Sequence, residues 1–352
     1  MKHKTIGIKD IAERAKVSTG PVDKVLNNRG GVSKATREKI LKAIKELGYK
    51  PNILASNLKS GKQRNIAVLI PKSTPNIPFW SLHQRGFDAA MEELAPFNFN
   101  LEILNFDQND ENSFKTQVDR AIGSQLDGLL MVPIFKKETK RLLDHCRSTE
   151  IPVLFFDSHV EDLEYTSFIG QHSEESGFLA AELLDKCLTR NQKILIVTLE
   201  EKDGNHLHFK KREAGFNSFH QKTNVKLLKY ENTTENLEKV KKDLLGILQQ
   251  DKDIRGVFVT NGVNIVMPIV ERIGKENYKS IGYDLIDQNI HFLNTGALDF
   301  IISQKPARQA YEGLKLFYEM FVRKQIPQKD YFLPIDIVVK SNLKYFSSHI
   351  TL

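Results

Sequence analysis

The stretch from Ile6 to Lys62 reads IGIKDIAERAKVSTGPVDKVLNNRGGVSKATREKILKAIKELGYKPNILASNLKSGK. Apolar residues recur at helical spacing in three short segments of it. The three apolar faces are formed by Ile8, Ile11, Ala12 and Ala15, by Val22, Val25 and Leu26, and by Ile40, Ile44 and Leu47. Ser33 can cap the third helix and Gly48 can end it. The pattern predicts a small all-α helix-turn-helix, whose second helix has the size and polarity to enter a DNA major groove.

Positive charge is concentrated in this head. The 352-residue chain has 51 Lys and Arg and 44 Asp and Glu, of which 16 and 5 lie between Met1 and Arg64. Residues 1–64 therefore carry a net charge of +11, and the other 288 residues, with 35 basic and 39 acidic side chains, carry −4. The alternative, that these lysines and arginines merely form the solvent-exposed face of ordinary helices, does not explain so large a difference in charge between the two parts of the chain. A basic head on a mildly acidic body is typical of a nucleic-acid-binding protein with a second function.

The head resembles the LacI/GalR family of bacterial transcription regulators. IKDIAERAKVSTGPVDKVLN is similar to the family's IxDIAxxAxVSxxTVSRVLN, and VSKATREKILKAIKELGYKPNILASNL to VSxxTRxxVxxAIxxLGYxPNxxARxL. The resemblance implies a homodimer on a near-palindromic operator in double-stranded DNA. It assigns base reading to one set of residues and phosphate contacts to another: Ser18, Thr19, Gly20 and Lys24 for bases, and Asn27, Ser33, Thr36 and Arg37 for phosphates.

Three positions in the second helix depart from the family pattern. Lys24 stands where Arg is usual, and Lys lacks the planar fork that reads guanine bidentately. Pro21 replaces Thr in the first helical turn, where its missing N–H is tolerated. Asp23 replaces Ser and places a carboxylate near phosphates unless it pairs with Lys24, Arg29 or a cytosine amine. We expect an operator outside the family's commonest consensus.

A short helix from Ile53 to Lys59, capped by Asn52, is predicted between the head and the body. The resemblance implies a hinge helix that orders on specific DNA and contacts it through Asn52, Ala55 and Leu58, with Leu58 wedged into the minor groove. An ordinary linker is the alternative. The sequence is compatible with both interpretations, because an isolated helix this short is only marginally stable in water.

The pattern changes from Asn65 onward to alternating strands and helices. Buried-strand runs such as IAVLI, DGLLMV and PVLFF are followed by KILIVT, GVFVT and SIGYD, with helical segments between them. This predicts an α/β body of two doubly wound parallel sheets, each a Rossmann-like lobe. The predicted divisions are a head at 1–50, a hinge at 51–64 and an effector-binding body at 65–352. Within the body, a first lobe covers 65–165 plus 290–325, and a second covers 166–289 plus 326–345.

The body resembles periplasmic sugar-binding proteins of the ribose-binding type, from about Arg64 to Tyr345. The motifs are NIPFWSLHQRGFDAAMEEL, FFDS, KKREAGF, VTNG, IGYD and ISQKP, and most follow predicted strands. By this resemblance an effector would be held by Phe79, Trp80, Asp157, Arg212, Asn261, Asp284 and Gln304. Aromatic faces suit the C–H side of a sugar, and planar polar groups suit adjacent hydroxyls. Ser158, where many pentose binders have Arg, disfavours ribose itself.

Each of these residues also has a structural interpretation. Phe79 and Trp80 fit a hydrophobic core, a strand-end Asp often caps a helix, and Arg212 fits an ion pair with Glu213 or with a neighbouring acid. His206 and His208 form an HxH pattern in a predicted loop. A metal site there lacks an evident third ligand, so a position lining the cleft, or in solvent, is favoured.

The sequence therefore predicts a transcription regulator, most simply a repressor, whose operator affinity is controlled by a monosaccharide or sugar derivative. A nucleotide, purine or sugar-phosphate effector, or a solute receptor without a regulatory role, stays open. No catalytic residue, cofactor or metal ligand is predicted, since GxGxxG, P-loop and GxSxG motifs are missing from the sequence. Without a long apolar segment or signal core, we expect a cytoplasmic protein with no membrane contact. Cys146 and Cys187 are expected to be buried, reduced thiols.

Overall fold

The chain divides into two compact units, Met1–Gly61 and Lys62–Leu352. The computed structural model describes residues 6–26, 29–49, 62–75, 78–189, 191–200, 206–221, 223, 225–233 and 236–347. Within these ranges no helix is long and apolar enough to cross a membrane.

The described part of the head contains three helices. They are α1 Ile8–Ala15, α2 Thr19–Leu26 and α3 Lys34–Leu47. The predicted apolar faces form its core, in which Ile11, Val22 and Ile40 are fully buried. Lys16, in the left-handed conformation with φ 55°, ends α1. The predicted caps of α3 are confirmed, because the Thr36 N–H donates to Ser33 Oγ at 3.3 Å and Gly48 is left-handed with φ 59°.

The first lobe of the body is built on a six-stranded parallel sheet. Its strands are β1 Arg64–Pro71, β2 Phe99–Phe106, β3 Gly128–Met131, β4 Val153–Phe156, β5 Ser167–Gly170 and β11 Asp330–Phe332. They lie in the order β11-β5-β4-β3-β1-β2. One face is covered by α4 Gln84–Leu94 and α12 Pro306–Phe321, the other by α5 Glu111–Gly123 and α6 Lys136–Ser148. Helices on both faces explain why β1, β3 and β4 are almost continuously apolar.

The second lobe is built on a second six-stranded sheet. Its strands are β6 Lys193–Glu200, β7 Lys226–Thr233, β8 Ile254–Val259, β9 Lys279–Tyr283, β10 Phe300–Ser303 and β12 Asp336–Val338. They lie in the order β12-β10-β9-β8-β6-β7, with β12 antiparallel to β10. Its helices are α7 Ser173–Cys187 and α8 Leu207–His220 on one face, and α9 Leu237–Gln250, α10 Val263–Gly274 and α11 Asp287–Thr295 on the other. The short helix α13 spans Lys344–Ser347. The predicted fold class is confirmed.

The predicted boundaries between the lobes differ from the sheets at three strands. β5 and β11, assigned from the sequence to the second lobe, lie in the first sheet, and β10, assigned to the first lobe, lies in the second sheet. In the described part of the body the chain crosses between lobes at 171–172, 304–305 and 333–335. Strand–helix alternation shows that these strands exist, but the sheet that each one joins depends on long-range pairing, which the local pattern does not contain.

The two cysteines have different surroundings. Cys146 is buried in the first lobe, and burial raises the pKa of its thiol to about 11. Cys187, at the end of α7, is exposed, so the expectation of a second buried thiol is wrong. Both are free thiols.

Candidate nucleic-acid interface and ligand cleft

Two aspartates occupy equivalent positions in the two lobes. Asp157 follows β4 and Asp284 follows β9, and both are left-handed, with φ 65° and 75°. The N–H of Asp157 donates to the Ile169 carbonyl at 3.1 Å, and the N–H of Asp284 donates to the Ile302 carbonyl at 3.2 Å. Each aspartate is thus tied to the strand that follows it in its sheet. A left-handed non-glycine residue is uncommon, and such conformations cluster at functional sites.

Arg212 reaches these strand ends from α8 and is only 2% exposed. One guanidinium nitrogen donates to the Thr260 carbonyl at 2.7 Å, and another donates to Gln304 Oε1 at 2.5 Å. Gln304 Nε2 in turn donates to Asp284 Oδ1 at 2.5 Å. The structure therefore joins three predicted effector residues into one hydrogen-bonded chain. The alternative pairing of Arg212 with Glu213 is not formed, because Glu213 pairs with Lys229 at 3.0 Å.

Several polar atoms around this chain are buried without a hydrogen-bond partner among the described residues. They are Asp157 Oδ1, Arg212 Nε, His208 Nδ1 and Gln171 Oε1. Leaving such an atom unsatisfied costs about 1–3 kcal/mol, and most buried polar groups in folded proteins are paired. These four side chains come from both lobes and from the first crossover between them.

Burial controls the charges in the cleft. It raises the pKa of Asp157 to about 7, with Arg212 opposing the rise and Asp284 adding to it. Burial also raises the pKa of Asp284, against the opposing effects of Arg212 and Gln304. Burial, followed by the charge of Arg212, holds the pKa of His208 well below its usual range. The cleft thus presents one permanent cation, two carboxylates whose negative charge burial disfavours, and a neutral imidazole.

Phe79 and Trp80 lie in a 3₁₀ turn, Pro78–His83, just before α4. Their rings meet edge to face at 5.0 Å, and Trp80 stacks on His83 with ring centroids 5.4 Å apart. The Trp80 indole N–H donates to Gln108 Oε1 at 2.6 Å. His83 contacts Phe156, the residue before Asp157, so the aromatic pair connects to the polar cluster through His83. Both aromatic residues are half-buried, and their contact with an effector stays a prediction.

The side chain of Asn261 bridges two strand ends. Its Oδ1 accepts from the Leu199 N–H at 2.9 Å, and its Nδ2 donates to the Leu199 carbonyl. These bonds hold the end of β6 against the end of β8. In this arrangement both polar groups of the Asn261 side chain are used by the Leu199 backbone, and a direct contact with an effector stays a prediction.

Two glutamines that sequence reasoning missed complete the framework. Gln309, fully buried on α12, accepts from the Asp157 N–H at 2.8 Å and donates to the Gln304 carbonyl at 2.9 Å. Gln171 Nε2, in the first crossover, donates to the carbonyl of Ser303 at 3.1 Å, directly before the second crossover. A polar residue within the apolar face of α12, beside Ala307 and Ala310, is the signal that could have identified Gln309.

A cross-lobe contact at the cleft was also missed. Lys211 Nζ on α8 donates to His159 Nε2 at 3.0 Å and lies 4.0 Å from Glu161 Oε1. His159 follows β4 in the first lobe, so the contact joins the two sides of the cleft. Burial, with a smaller effect of Lys211, lowers the pKa of His159, which suits a neutral ring that accepts this bond.

Two glycines set the position of Arg212. A Cβ on Gly177 would lie 1.8 Å from the Arg212 carbonyl oxygen, and a Cβ on Gly215 would lie 1.8 Å from the Glu174 carbonyl oxygen. Helices α7 and α8 therefore cross at a distance that only glycine permits. Gly215 of the KKREAGF motif therefore fixes the position of Arg212 in the same motif.

The HxH pattern is split between a helix and the residue before it. His206 precedes α8, and His208 lies in its first turn rather than in a loop. Their rings lie 5.9 Å and 3.9 Å from that of Phe209. Across the described ranges no group of three or more His, Cys, Asp or Glu could hold a metal ion.

The predicted base-reading residues of the head form an open surface. Ser18, Thr19, Gly20 and Lys24 are all exposed, and a Cβ on Gly20 would meet nothing within 4 Å. One of the pairings considered for Asp23 is formed, with Arg29 at 3.5 Å. Of the predicted phosphate contacts, Ser33 is exposed, and Thr36 and Arg37 are partly buried. Asn27, Asn52, Ala55 and Leu58 lie outside the described residues.

Both parts of the chain match known families. Residues 7–52 match the bacterial regulatory proteins of the lacI family, and residues 66–325 match the periplasmic binding protein domain. The protein thus belongs to the periplasmic-binding-protein-domain family and carries a lacI-family head.

Individual proteins agree with this membership. Catabolite control protein A of Priestia megaterium is 29% identical over 197 residues, 56% of each chain. The HTH-type transcriptional repressor CytR of Escherichia coli K12 is 36% identical over 126 residues, 36% of this chain and 35% of that protein. The chain thus matches about half the length of the first of these relatives and about a third of the second.

Solved structures share the fold of the body. A protein from Bacteroides fragilis described as a LacI transcriptional regulator has a TM-score of 0.74 and 26% identity, over 81% of this chain and 99% of its own. GanP, a glucose-galactose binding protein from Geobacillus stearothermophilus, has a TM-score of 0.70 and 19% identity, over 80% and 99%. At 19% identity the second comparison supports the fold alone.

Proposed function

We propose that the protein is a DNA-binding transcription regulator, most simply a repressor, whose operator affinity is set by a small polar effector held between the two lobes. The exposed residues of α2, the net charge of the head and the lacI-family match support the DNA-binding part. Phosphate contacts supply most of the affinity of such a head, and residues at the groove supply its specificity.

The unsatisfied polar atoms of the cleft carry the effector part of the proposal. Asp157 Oδ1 accepts, Arg212 Nε donates and His208 Nδ1 does either, according to its tautomer. Neighbouring hydroxyls of a polyol offer this alternation of donors and acceptors. Proteins of this fold have been solved with D-arabinose, myo-inositol and D-allose, at 18–19% identity. A neutral monosaccharide or close derivative is the effector class that we favour.

Regulation would follow from the effector contacting both lobes. Asp157 belongs to the first lobe, and Arg212 and Asp284 belong to the second. A ligand that bonds to all three favours the lobe arrangement in which they converge, and only this difference in affinity between arrangements moves the equilibrium. In a homodimer on a near-palindromic operator, that change would alter the presentation of the two heads and weaken DNA binding.

A solute receptor with the same cleft is the second candidate, and DNA binding separates the two. The full-length chain would be used to select duplexes from a random library, and the affinity of the enriched duplex would be measured from 50 to 200 mM salt. A regulator gives one enriched near-palindrome, with an affinity that falls about 10³-fold or more for six or more phosphate contacts. A receptor enriches no sequence, which would refute the regulator.

The effector class would be tested on the same full-length protein by thermal unfolding with monosaccharides, polyols, sugar acids, sugar phosphates and purines. A ligand at 100 times its Kd stabilises the folded state by about 2.7 kcal/mol. Stabilisation by a neutral sugar supports the proposal. Stabilisation only by phosphates or purines would retain the cleft and replace the effector class.

A further inference from the structure

The exposed face of α2 carries little that can read a base bidentately. Thr19 and Gly20 lie one turn before Asp23 and Lys24, so the four residues share one side of the helix. Thr19 has a short side chain and Gly20 has none. Lys24 is long, but its ammonium is a point charge and lacks the planar fork of an arginine. Helix α2 itself contains no arginine, asparagine or glutamine, which are the usual bidentate readers.

An arginine lies beside this face, just beyond the end of α2. The Arg29 N–H donates to the Lys24 carbonyl at 2.8 Å, so the chain turns back against the last turn of the helix. Gly31 is left-handed, with φ 83°, and a Cβ added to it would lie 3.5 Å from Lys24 Nζ. The described segment 29–31 therefore lies next to the Lys24 side chain.

The side chain of Arg29 is directed toward the same face by Asp23. Arg29 Nη1 lies 3.5 Å from Asp23 Oδ2, and the two side chains are 69% and 46% exposed. An ion pair this exposed contributes little to the stability of a fold. A guanidinium has five N–H donors, and a contact through one nitrogen leaves the others able to bind a second group. The pair therefore suits the orientation of Arg29 better than the stabilisation of the head.

We propose that Arg29 reads a guanine in each operator half-site, and that Asp23 is the positioning residue that orients its guanidinium. This inference rests on the regulator function proposed above and specifies a base that the head selects. Guanine presents O6 and N7 in the major groove, and these two acceptors match the arginine fork. The arrangement explains two departures in α2 together, since Arg29 supplies the fork that Lys24 lacks and neutralises the charge of Asp23.

The full-length protein would be used to select duplexes from a random library. Fluorescence anisotropy would then measure the affinity of the enriched duplex and of its single-base-pair variants. For wild type we expect a guanine in each half-site whose replacement lowers affinity about tenfold. In Arg29→Lys the same replacement should change affinity by less than about twofold, because the charge is kept and the fork is lost. Discrimination at the other positions should be retained.

A matched pair of variants separates base reading from charge. Arg29→Gln and Lys39→Gln each remove one positive charge, and Lys39 is an exposed residue of α3. Arg29→Gln should lose the same guanine preference as Arg29→Lys, whereas Lys39→Gln should retain every preference. Unchanged preferences in both Arg29 variants would overturn the inference and leave the regulator function standing. If the wild-type protein enriched no duplex, both would be overturned.

Asp23→Asn tests the positioning role. Loss of the carboxylate removes a repulsion from phosphates, so the affinity for all duplexes should be equal to or higher than that of wild type. Loss of the charged partner of Arg29 should at the same time lower the guanine discrimination from about tenfold to about threefold or less. A higher affinity for all duplexes with the guanine discrimination intact would show that Asp23 only repels phosphates, and would overturn its positioning role.

Discussion

Asp157 and Asp284 stand at the same point of the two sheets, each one residue beyond a parallel strand, each left-handed, and each bonded through its N–H to the next strand. Arg212 acts on both carboxylates, since its charge opposes the burial that raises each pKa. The two lobes therefore meet at a pair of disfavoured negative charges around one cation. A ligand that hydrogen-bonds to these carboxylates reduces the free-energy cost of burying their negative charge.

The first prediction concerns the pH dependence of stability. Because the pKa of Asp157 is raised to about 7 from 3.8, the folded protein retains a proton that the unfolded chain releases near pH 4. The contribution of this residue to the free energy of unfolding should fall as pH rises from about 4 to 7 and stay low above 7. Asp157→Asn removes that fall and should be more stable than wild type at pH 8, by about 1–3 kcal/mol.

Urea unfolding of both proteins at pH 5 and pH 8 measures this difference. Asp162→Asn is the control, because Asp162 is also left-handed but has an exposed side chain. An equal change of stability in both variants at both pH values would show that the charge of Asp157 is not disfavoured in the folded state.

The second prediction concerns Arg212. Arg212→Lys keeps a positive charge but cannot donate to both the Thr260 carbonyl and Gln304 Oε1 in the same planar geometry. Effector affinity should fall at least about tenfold, while the ligand-free protein should bind DNA within about twofold of wild type. Calorimetry and fluorescence anisotropy measure the two affinities. Loss of ligand-free DNA binding would instead make Arg212 a purely structural residue.

The third prediction concerns the crossing of α7 and α8. Gly215→Ala places a methyl group against the Glu174 carbonyl, so α8 must shift and carry Arg212 with it. We expect a loss of about 1–3 kcal/mol of stability, together with weaker effector binding. Gly246→Ala is the matched control in α9, where an added Cβ meets nothing within 4 Å, and it should stabilise by about 0.5–1 kcal/mol. Thermal unfolding measures the stability of both variants. An equal change of stability in the two would contradict this account.

The fourth prediction concerns the contact between Lys211 and His159 across the cleft. Lys211→Gln loses the charge that faces His159 and Glu161, which should favour the open arrangement. Effector affinity should fall about two- to tenfold, mostly through faster dissociation. Lys210→Gln alters an exposed lysine one residue away and should have no effect. Stopped-flow dissociation rates that are equal in the two variants would rule out a role for the contact.

Local patterns were sufficient for much of the fold. The apolar spacing of Ile11, Val22 and Ile40 predicted the head because helical periodicity is a property of neighbouring residues. The positions of Asp157 and Asp284 were predictable because ligand groups gather at the carboxyl ends of parallel strands. These features depend only on short stretches of chain.

Other features depend on contacts between distant residues. Gln309 reaches Asp157 over 152 residues, and its role follows from the helix α12 packing on the first sheet after the chain has left the second. Long-range contacts also determine which sheet β10 joins. They determine as well that the Asn261 side chain binds the backbone of Leu199. No periodicity or motif contains this information.

The measurement that tests the central proposal most directly is the affinity of the full-length protein for its selected duplex at fixed salt, with and without the sugar that stabilises it. We predict a change of at least about tenfold, which corresponds to a coupling free energy of about 1.4 kcal/mol, and a loss of this change in Arg212→Lys. A sugar that binds the protein and leaves DNA affinity unchanged would contradict the account.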